Sequence, residues 1–254
     1  MNFTYYGDLL GVSNYYRQNP EMAYNRLNVF YSTTFNYLRP FCRKNCDVHV
    51  NMFSDSILIW GNNAAEIIKQ LQGLYIKLIS KQLFFRGAIV SGTLEWDPRI
   101  VLDNFSKLLP INDKLARAVG LEKTQKGARL LIEKSLAVQL LEPVDIWLTP
   151  DGYQQNINPN ISIDDMRRRI CLTPDHETYE YLYFWRTHNP IGNDGYKLNQ
   201  VIKKLTAISE DFKDDIAVHY TETSNLYKRC QSRKEDTANK MGVSPANRIL
   251  QIGN

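Results

Sequence analysis

Two carboxylates and one guanidinium in this 254-residue chain stand where side chains of their type can do chemistry. Asp8 precedes the run Leu9-Leu10-Gly11-Val12-Ser13. A carboxylate leaving a strand, with a glycine turn and a helix after it, can hold a metal ion while backbone N–H groups meet phosphate. An Asp before a turn is also an ordinary cap. Asp55 sits in the polar turn Ser54-Asp55-Ser56, where Asp and Ser are common for purely local reasons. The pair says more than either member. If the strand ending near Asp8 lies beside the hairpin carrying Asp55, both carboxylates converge at one sheet edge. Two hard oxygen donors there suit Mg²⁺ or Mn²⁺ carrying a triphosphate, as in two-metal phosphoryl chemistry. Arg86 interrupts an apolar strand, and a buried guanidinium must find an anion. An internal carboxylate and a bound phosphate both satisfy it, and the pattern leaves the two open.

Other chemistries lack their residues. The four histidines, His49, His176, His188 and His219, show no metal-ligand spacing, so neither a zinc site nor a Ser-His-Asp triad is supported. No GxxxxGK[ST] or GxGxxG run occurs, which removes the P-loop and Rossmann readings. Cys42, Cys46, Cys171 and Cys230 form no CxxC pair and read as thiols of a reducing compartment. Lys and Arg total 31 against 27 acidic residues, a net +4, which gives no template-scale basic surface and no argument for nucleic acid. Neither a leader nor an apolar run of roughly 20 residues is present, so the expectation is a cytoplasmic protein with no membrane span. The basic residues Lys114, Arg117, Lys123, Lys126 and Arg129 read as a solvated helix face, and Tyr179–Trp185 as core or a packing surface.

Positioning those groups takes a particular series of elements. Residues 3–10 are rich in strand formers. Pro20 and Glu21 open a helix with Ala23, Leu27, Phe30, Tyr31, Thr34 and Leu38 on one face, expected to end before Pro40. Val48, Val50 and Met52 alternate, and the turn at 54–56 leads into Ile57-Leu58-Ile59-Trp60, a hairpin. A second amphipathic helix covers residues 64–79, a strand 84–92, a third helix follows Asn112 or Asp113, and another strand starts at Arg129. This βαββαβ order predicts an α+β fold with helices packed on one face of an antiparallel sheet. Beyond Pro143 the texture changes to Pro- and Asn-rich loops, then charged segments at 176–187 and 197–236 that read as helical. The expected division is a core at 1–145 and a helical extension at 146–254.

Four short runs, in order, carry a resemblance. Asp8-Leu9-Leu10-Gly11-Val12-Ser13 resembles the first metal motif of class III nucleotide cyclase catalytic domains, and Phe53-Ser54-Asp55-Ser56-Ile57-Leu58 the second. Arg86-Gly87-Ala88-Ile89-Val90-Ser91-Gly92 is similar to that family's R-x-G-I-x-x-G strand, and Ala118-Val119-Gly120-Leu121-Glu122 to its A-x-x-L-E helix. Coverage is residues 3–135, and the subtype most resembled is the bacterial Pycsar pyrimidine cyclases of anti-phage defence. The resemblance implies a ferredoxin-like palm core and a homodimer with its sites at the interface. It also implies two divalent ions, Mn²⁺ or Mg²⁺, on Asp8, Asp55 and the Leu9 carbonyl. Arg86 and the N–H groups of Leu10, Gly11, Val12 and Ser13 would hold phosphate. The substrate would be UTP or CTP, and the product a cyclic nucleotide. Two departures bear on this. Asn51 occupies the position where adenine-selective members carry Lys, and Ala116 and Gly120 fall where the family has its transition-state Asn and Arg. The alternative is therefore a cyclase-homology domain that dimerises and binds nucleotide without turnover.

Overall fold

Alternation in the first strand, β1 (Phe3–Leu9), sends Phe3, Tyr5 and Leu9 to one side of a sheet and Thr4, Tyr6 and Asp8 to the other. The structure is a computed structural model, and it describes residues 1–12, 16–17, 19–97, 109–141, 147–148, 154–155, 169–186, 200–205 and 215–240. Helix α1 (Pro20–Lys44) leads to β2 (His49–Phe53) and β3 (Ser56–Gly61). Helix α2 (Ala64–Ser80), β4 (Phe85–Ser91), α3 (Lys114–Lys123) and β5 (Leu130–Ile132) follow. The four antiparallel strands run in the order β2-β3-β1-β4, the ferredoxin-like arrangement of a βαββαβ unit, and β5 adds to β4 in parallel. The sheet is thus mixed, not purely antiparallel.

Both early helices are capped by their own sequence. The Asn19 side chain accepts the Met22 N–H at 3.0 Å with Pro20 in the first turn. Asn63, at φ 66°, accepts the Glu66 N–H at 3.3 Å. Their apolar stripes (Phe30, Leu38 and Phe41 on α1; Ile67, Leu71, Tyr75 and Leu78 on α2) bury against Phe3, Tyr5, Ile57, Ile59, Phe85 and Ile89. Helix α1 does not stop before Pro40. It runs on to Lys44, because a lost backbone bond at Pro40 costs less than burying Phe41 gains, and Asn45 closes the end with its N–H on the Phe41 carbonyl at 3.1 Å. Helix α3 takes the opposite face of the sheet, over β1 and β4, so helices occupy both faces.

Beyond the expected boundary at residues 145/146, described strands rejoin the main sheet. After α4 (Lys134–Leu141) and a small separate pair, β6 (Trp147–Leu148) with β7 (Gln154–Gln155), the chain returns to the main sheet. Strands β8 (Ile170–Leu172) and β9 (Tyr179–Tyr181) complete the order β2-β3-β1-β4-β5-β9-β8. Residues 176–187 were expected to be helical. They instead hold a strand and a short 3₁₀ turn at Tyr183–Arg186, since Tyr181, Tyr183 and Phe184 bury in the shared core. Helix α5 (Asp215–Lys240) packs on that turn, and part of the 197–236 expectation lies outside the described residues. A buried ion cluster joins these parts. Arg129 meets Glu180 at 2.7 Å and Glu222, and Glu180 also takes Arg229. Among the described residues no helix is long and apolar enough to cross a membrane.

Gly7 and Gly87 face each other across β1 and β4, with the Tyr5 ring laid over both. A Cβ on Gly87 would meet the Tyr5 hydroxyl at 2.2 Å, and that hydroxyl pairs with Tyr75 at 3.1 Å. The glycine next to Arg86 is therefore a packing requirement. Gly87→Ala is expected to cost about 1–3 kcal/mol by overpacking, read as a lower denaturant midpoint with an unchanged slope.

Candidate functional site

Strand register brings the sequence-predicted groups to one end of the sheet. Asp8, at the last turn of β1, lies opposite Ser56 of β3 on one side and Arg86 of β4 on the other. Asp55 is in the two-residue turn between β2 and β3. Its partner in that turn, Ser54, takes φ 50°, and the Asp55 carbonyl accepts the Leu9 N–H at 2.9 Å. That bond fastens the hairpin turn to the end of β1, so the two carboxylates converge as the topology requires.

The Asp8 carboxylate accepts the Ser56 hydroxyl at 2.9 Å, and Ser56 in turn lies 2.9 Å from the Tyr6 hydroxyl. Burial and then the Asp55 charge raise the Asp8 pKa to about 6, against which the Ser56 bond and Arg86 pull only partly. Burial first, and the neighbouring Asp55 charge second, therefore oppose ionisation of Asp8, and a bound cation would favour it. Among the described residues no cluster of three or more His, Cys, Asp or Glu forms. A divalent ion on Asp8 and Asp55 would therefore complete its shell with water, backbone carbonyl or substrate oxygens, as Mg²⁺ and Mn²⁺ commonly do. The donor set fits such an ion.

The raised pKa gives a stability prediction. A carboxylate whose folded pKa exceeds its unfolded value of 3.8 destabilises the fold when ionised. That penalty is absent below the unfolded value and complete above about 6. In chelator-treated protein, Asp8→Asn is thus expected to be the more stable form at pH 8, with its advantage lost as pH falls from 6 towards 3.8. Urea midpoints at pH 8 and pH 4 measure it, and an advantage that grows on acidification contradicts the assignment.

Arg86 answers the question its sequence left open: its Nε–H donates to the Glu122 carboxylate of α3, and an Nη1–H donates to the Gln125 carbonyl at 3.3 Å. Glu122 is buried, so the guanidinium is held by an internal partner. The turn after β1 is divided in its use. The Leu10 N–H is spent on the Phe84 carbonyl at 2.8 Å and is not offered to phosphate, which corrects that expectation. Gly11, at φ 83°, and buried Val12 have no acceptor for their N–H groups among the described residues. Ser13 lies outside the described residues.

Asn51 is half-buried on β2, in register with Leu58, on the face opposite α1 and α2. Its amide makes no hydrogen bond among the described residues, and the same face carries His49 stacked on Trp60 at 5.3 Å. On α3, Ala116 and Gly120 are exposed, and a Cβ on Gly120 would meet nothing within 4 Å. Neighbouring Arg117 is not available to replace an arginine there, because it pairs with Glu133. Burial opposes the charge on Glu133, but Arg117, the Ser91 N–H, Ser135 and the Ser91 hydroxyl hold its pKa down to about 2. Lys114 likewise pairs with Asp113 at 2.9 Å. Sequence reasoning missed Ser56 and Tyr6 as companions of Asp8. The i, i+2 relation of Tyr6 to Asp8 was the available signal for one of them.

No family model matches the chain, and no curated protein matches it. Solved structures do. The guanylate cyclase domain of RhGC from Catenaria anguillulae, in complex with GTP, has 14% identity and a TM-score of 0.44, over 58% of this chain and 88% of that one. The adenylyl cyclase CyaB from P. aeruginosa has 13% identity and a TM-score of 0.44, over 61% and 89%.

Proposed function

We propose that the chain is a nucleotidyl cyclase that converts UTP or CTP to the 3′,5′-cyclic monophosphate and pyrophosphate. The observation that carries this reading is the convergence of Asp8 and Asp55, tied by the Leu9 N–H, at one end of a βαββαβ sheet. Asp8, Asp55 and the Leu9 carbonyl would hold Mg²⁺ or Mn²⁺, which would supply a lowered pKa for the ribose 3′-hydroxyl and charge neutralisation for the triphosphate. The bond from O3′ to the α-phosphorus would form as the bond to the bridging oxygen of pyrophosphate breaks, with the 3′-hydroxyl proton passing to water. Arg86 would keep Nε on Glu122 and one Nη1–H on Gln125 and offer its other N–H donors to the departing pyrophosphate, with the amides of Gly11 and Val12. The cyclic product would serve as a second messenger in anti-phage defence.

Base choice rests on Asn51, supplied from the partner protomer of a homodimer. Its amide offers both a donor and an acceptor, which fits the N3–H and O4 edge of uracil, or N3 and N4 of cytosine. That this amide is unpaired among the described residues supports the role. Equimolar ATP, GTP, CTP and UTP with Mn²⁺, followed by chromatography, are expected to yield a cyclic pyrimidine nucleotide. Asn51→Ala should weaken the discrimination by about 1–3 kcal/mol. Predominant cyclic AMP or cyclic GMP would refute the pyrimidine assignment.

A second reading, nucleotide binding and dimerisation without turnover, is favoured by the empty helix face at Ala116 and Gly120. Equilibrium binding of a nucleotide without any cyclic product would decide for it.

A further inference from the structure

A groove of about 750 Å³ lies between α1 and β2, at the free edge of the sheet and on the face away from Asn51. Its volume falls within the rough 300–1,000 Å³ range of small-molecule sites. The walls are apolar: Phe35, Leu38 and Tyr31 from α1, Val48 just before β2, and Val50 and Met52 from β2. Phe35 and Val50 are nonetheless 58% and 36% exposed, large apolar groups left to water.

Two further observations say what would fill it. Thr34 lines the groove and is fully buried, yet its hydroxyl has no hydrogen-bond partner. A helical Thr usually returns its hydroxyl to a carbonyl one turn back. This one does not, and a buried hydroxyl without a partner is costly. Second, the groove is cationic at one end. The chain turns back at residues 45–48, so the end of α1 carrying Arg39 and Arg43 lies beside Val48. Both guanidiniums are exposed and line the groove, and neither has a carboxylate partner among the described residues. Arg39 is held over the Phe35 ring at 5.5 Å, which aims its charge along the apolar wall. At the other end stands Tyr31, whose hydroxyl is raised in pKa by burial and then by Asp55. The groove therefore ends within electrostatic reach of the turn that carries the second carboxylate.

We infer that this groove is a binding site for an amphipathic organic anion. Its apolar chain lies along Val48, Val50 and Met52, its anionic head sits between Arg39 and Arg43, and a polar oxygen meets Thr34. The inference is independent of the cyclase reading, because binding is measured without turnover.

N-decanoylglycine, which has a chain, an amide oxygen and a carboxylate, is a suitable probe, with its methyl ester as the uncharged control. Calorimetry on the full chain is expected to show one site per chain, with the ester weaker by about tenfold or more. Arg39→Gln with Arg43→Gln should bring the acid down to the ester's affinity. Thr34→Val, which keeps the volume, should lose a few-fold. Val50→Trp, at an exposed edge position, should abolish binding while thermal unfolding stays unchanged. Equal affinity for acid and ester, binding unaffected by Val50→Trp, or no binding heat each overturns the proposal. So does a dimer that dissociates in Val50→Trp without any probe binding, since the groove would then be an interface between copies.

Discussion

Asp8→Ala and Asp55→Ala are each expected to abolish cyclic nucleotide formation while leaving the protein folded. Both carboxylates sit at the end of the sheet with their side chains outside the apolar cluster, so truncation removes ligands and no packing. Loss of either ligand from a two-carboxylate site leaves too few fixed oxygens for a divalent ion. The expected loss is at least 10³-fold in kcat/KM, about 4 kcal/mol of transition-state stabilisation. Circular dichroism and gel filtration should be unchanged. Product from either variant within tenfold of the parent would contradict the metal assignment. The Asp8 variant is also the more informative for stability, because its carboxylate is the one whose ionisation the fold resists.

Glu180→Ala is the substitution with the largest expected effect on stability. Glu180 is buried between Arg129 and Arg229, and Arg129 is 1% exposed. Burial raises the Glu180 pKa, and Arg129 and then Arg229 pull it back, so the carboxylate is held by its partners. Removing it strands a buried guanidinium, at a cost of about 3–5 kcal/mol. Glu222 softens this for Arg129 from the rim of the cluster, which favours the lower part of that range. The double variant Arg129→Met, Glu180→Leu is expected to lose less than Glu180→Ala alone, since the two charges it leaves behind, Glu222 and Arg229, are about a third exposed and reach water. A Glu180→Ala protein within 1 kcal/mol of the parent by urea unfolding would mean that the cluster does not hold β5, β9 and α5 together.

The same cluster shows where the sequence stopped being legible. The order from β1 to β5 was readable because each element carries a period: two in residues 48–52, close to 3.6 in α1 and α2. Asp8, Asp55 and Arg86 were readable as types in the wrong surroundings, a charge at a strand end, in a turn and inside an apolar strand. Their partners were not. Glu122 lies 36 residues beyond Arg86, and Glu180 lies 51 beyond Arg129, and no local pattern marks such pairs. Strands β8 and β9 are three residues each, too short for a period. The aromatic residues at 179–185 mark a buried segment but do not tell a strand from a helix, so Tyr179-Glu180-Tyr181 was not legible as a strand. Pro40 misled for the opposite reason: a local rule about one missing N–H was outweighed by the burial of Phe41 one residue on.

Turnover decides whether the chain is a cyclase. Purified protein with Mn²⁺ and each nucleoside triphosphate in turn, with cyclic nucleotide and pyrophosphate quantified in the same reaction, tests it most directly. The predicted result is equal amounts of the two products from UTP or CTP, and none from Asp55→Ala. Folded protein that yields no cyclic nucleotide from any of the four triphosphates would contradict the cyclase reading.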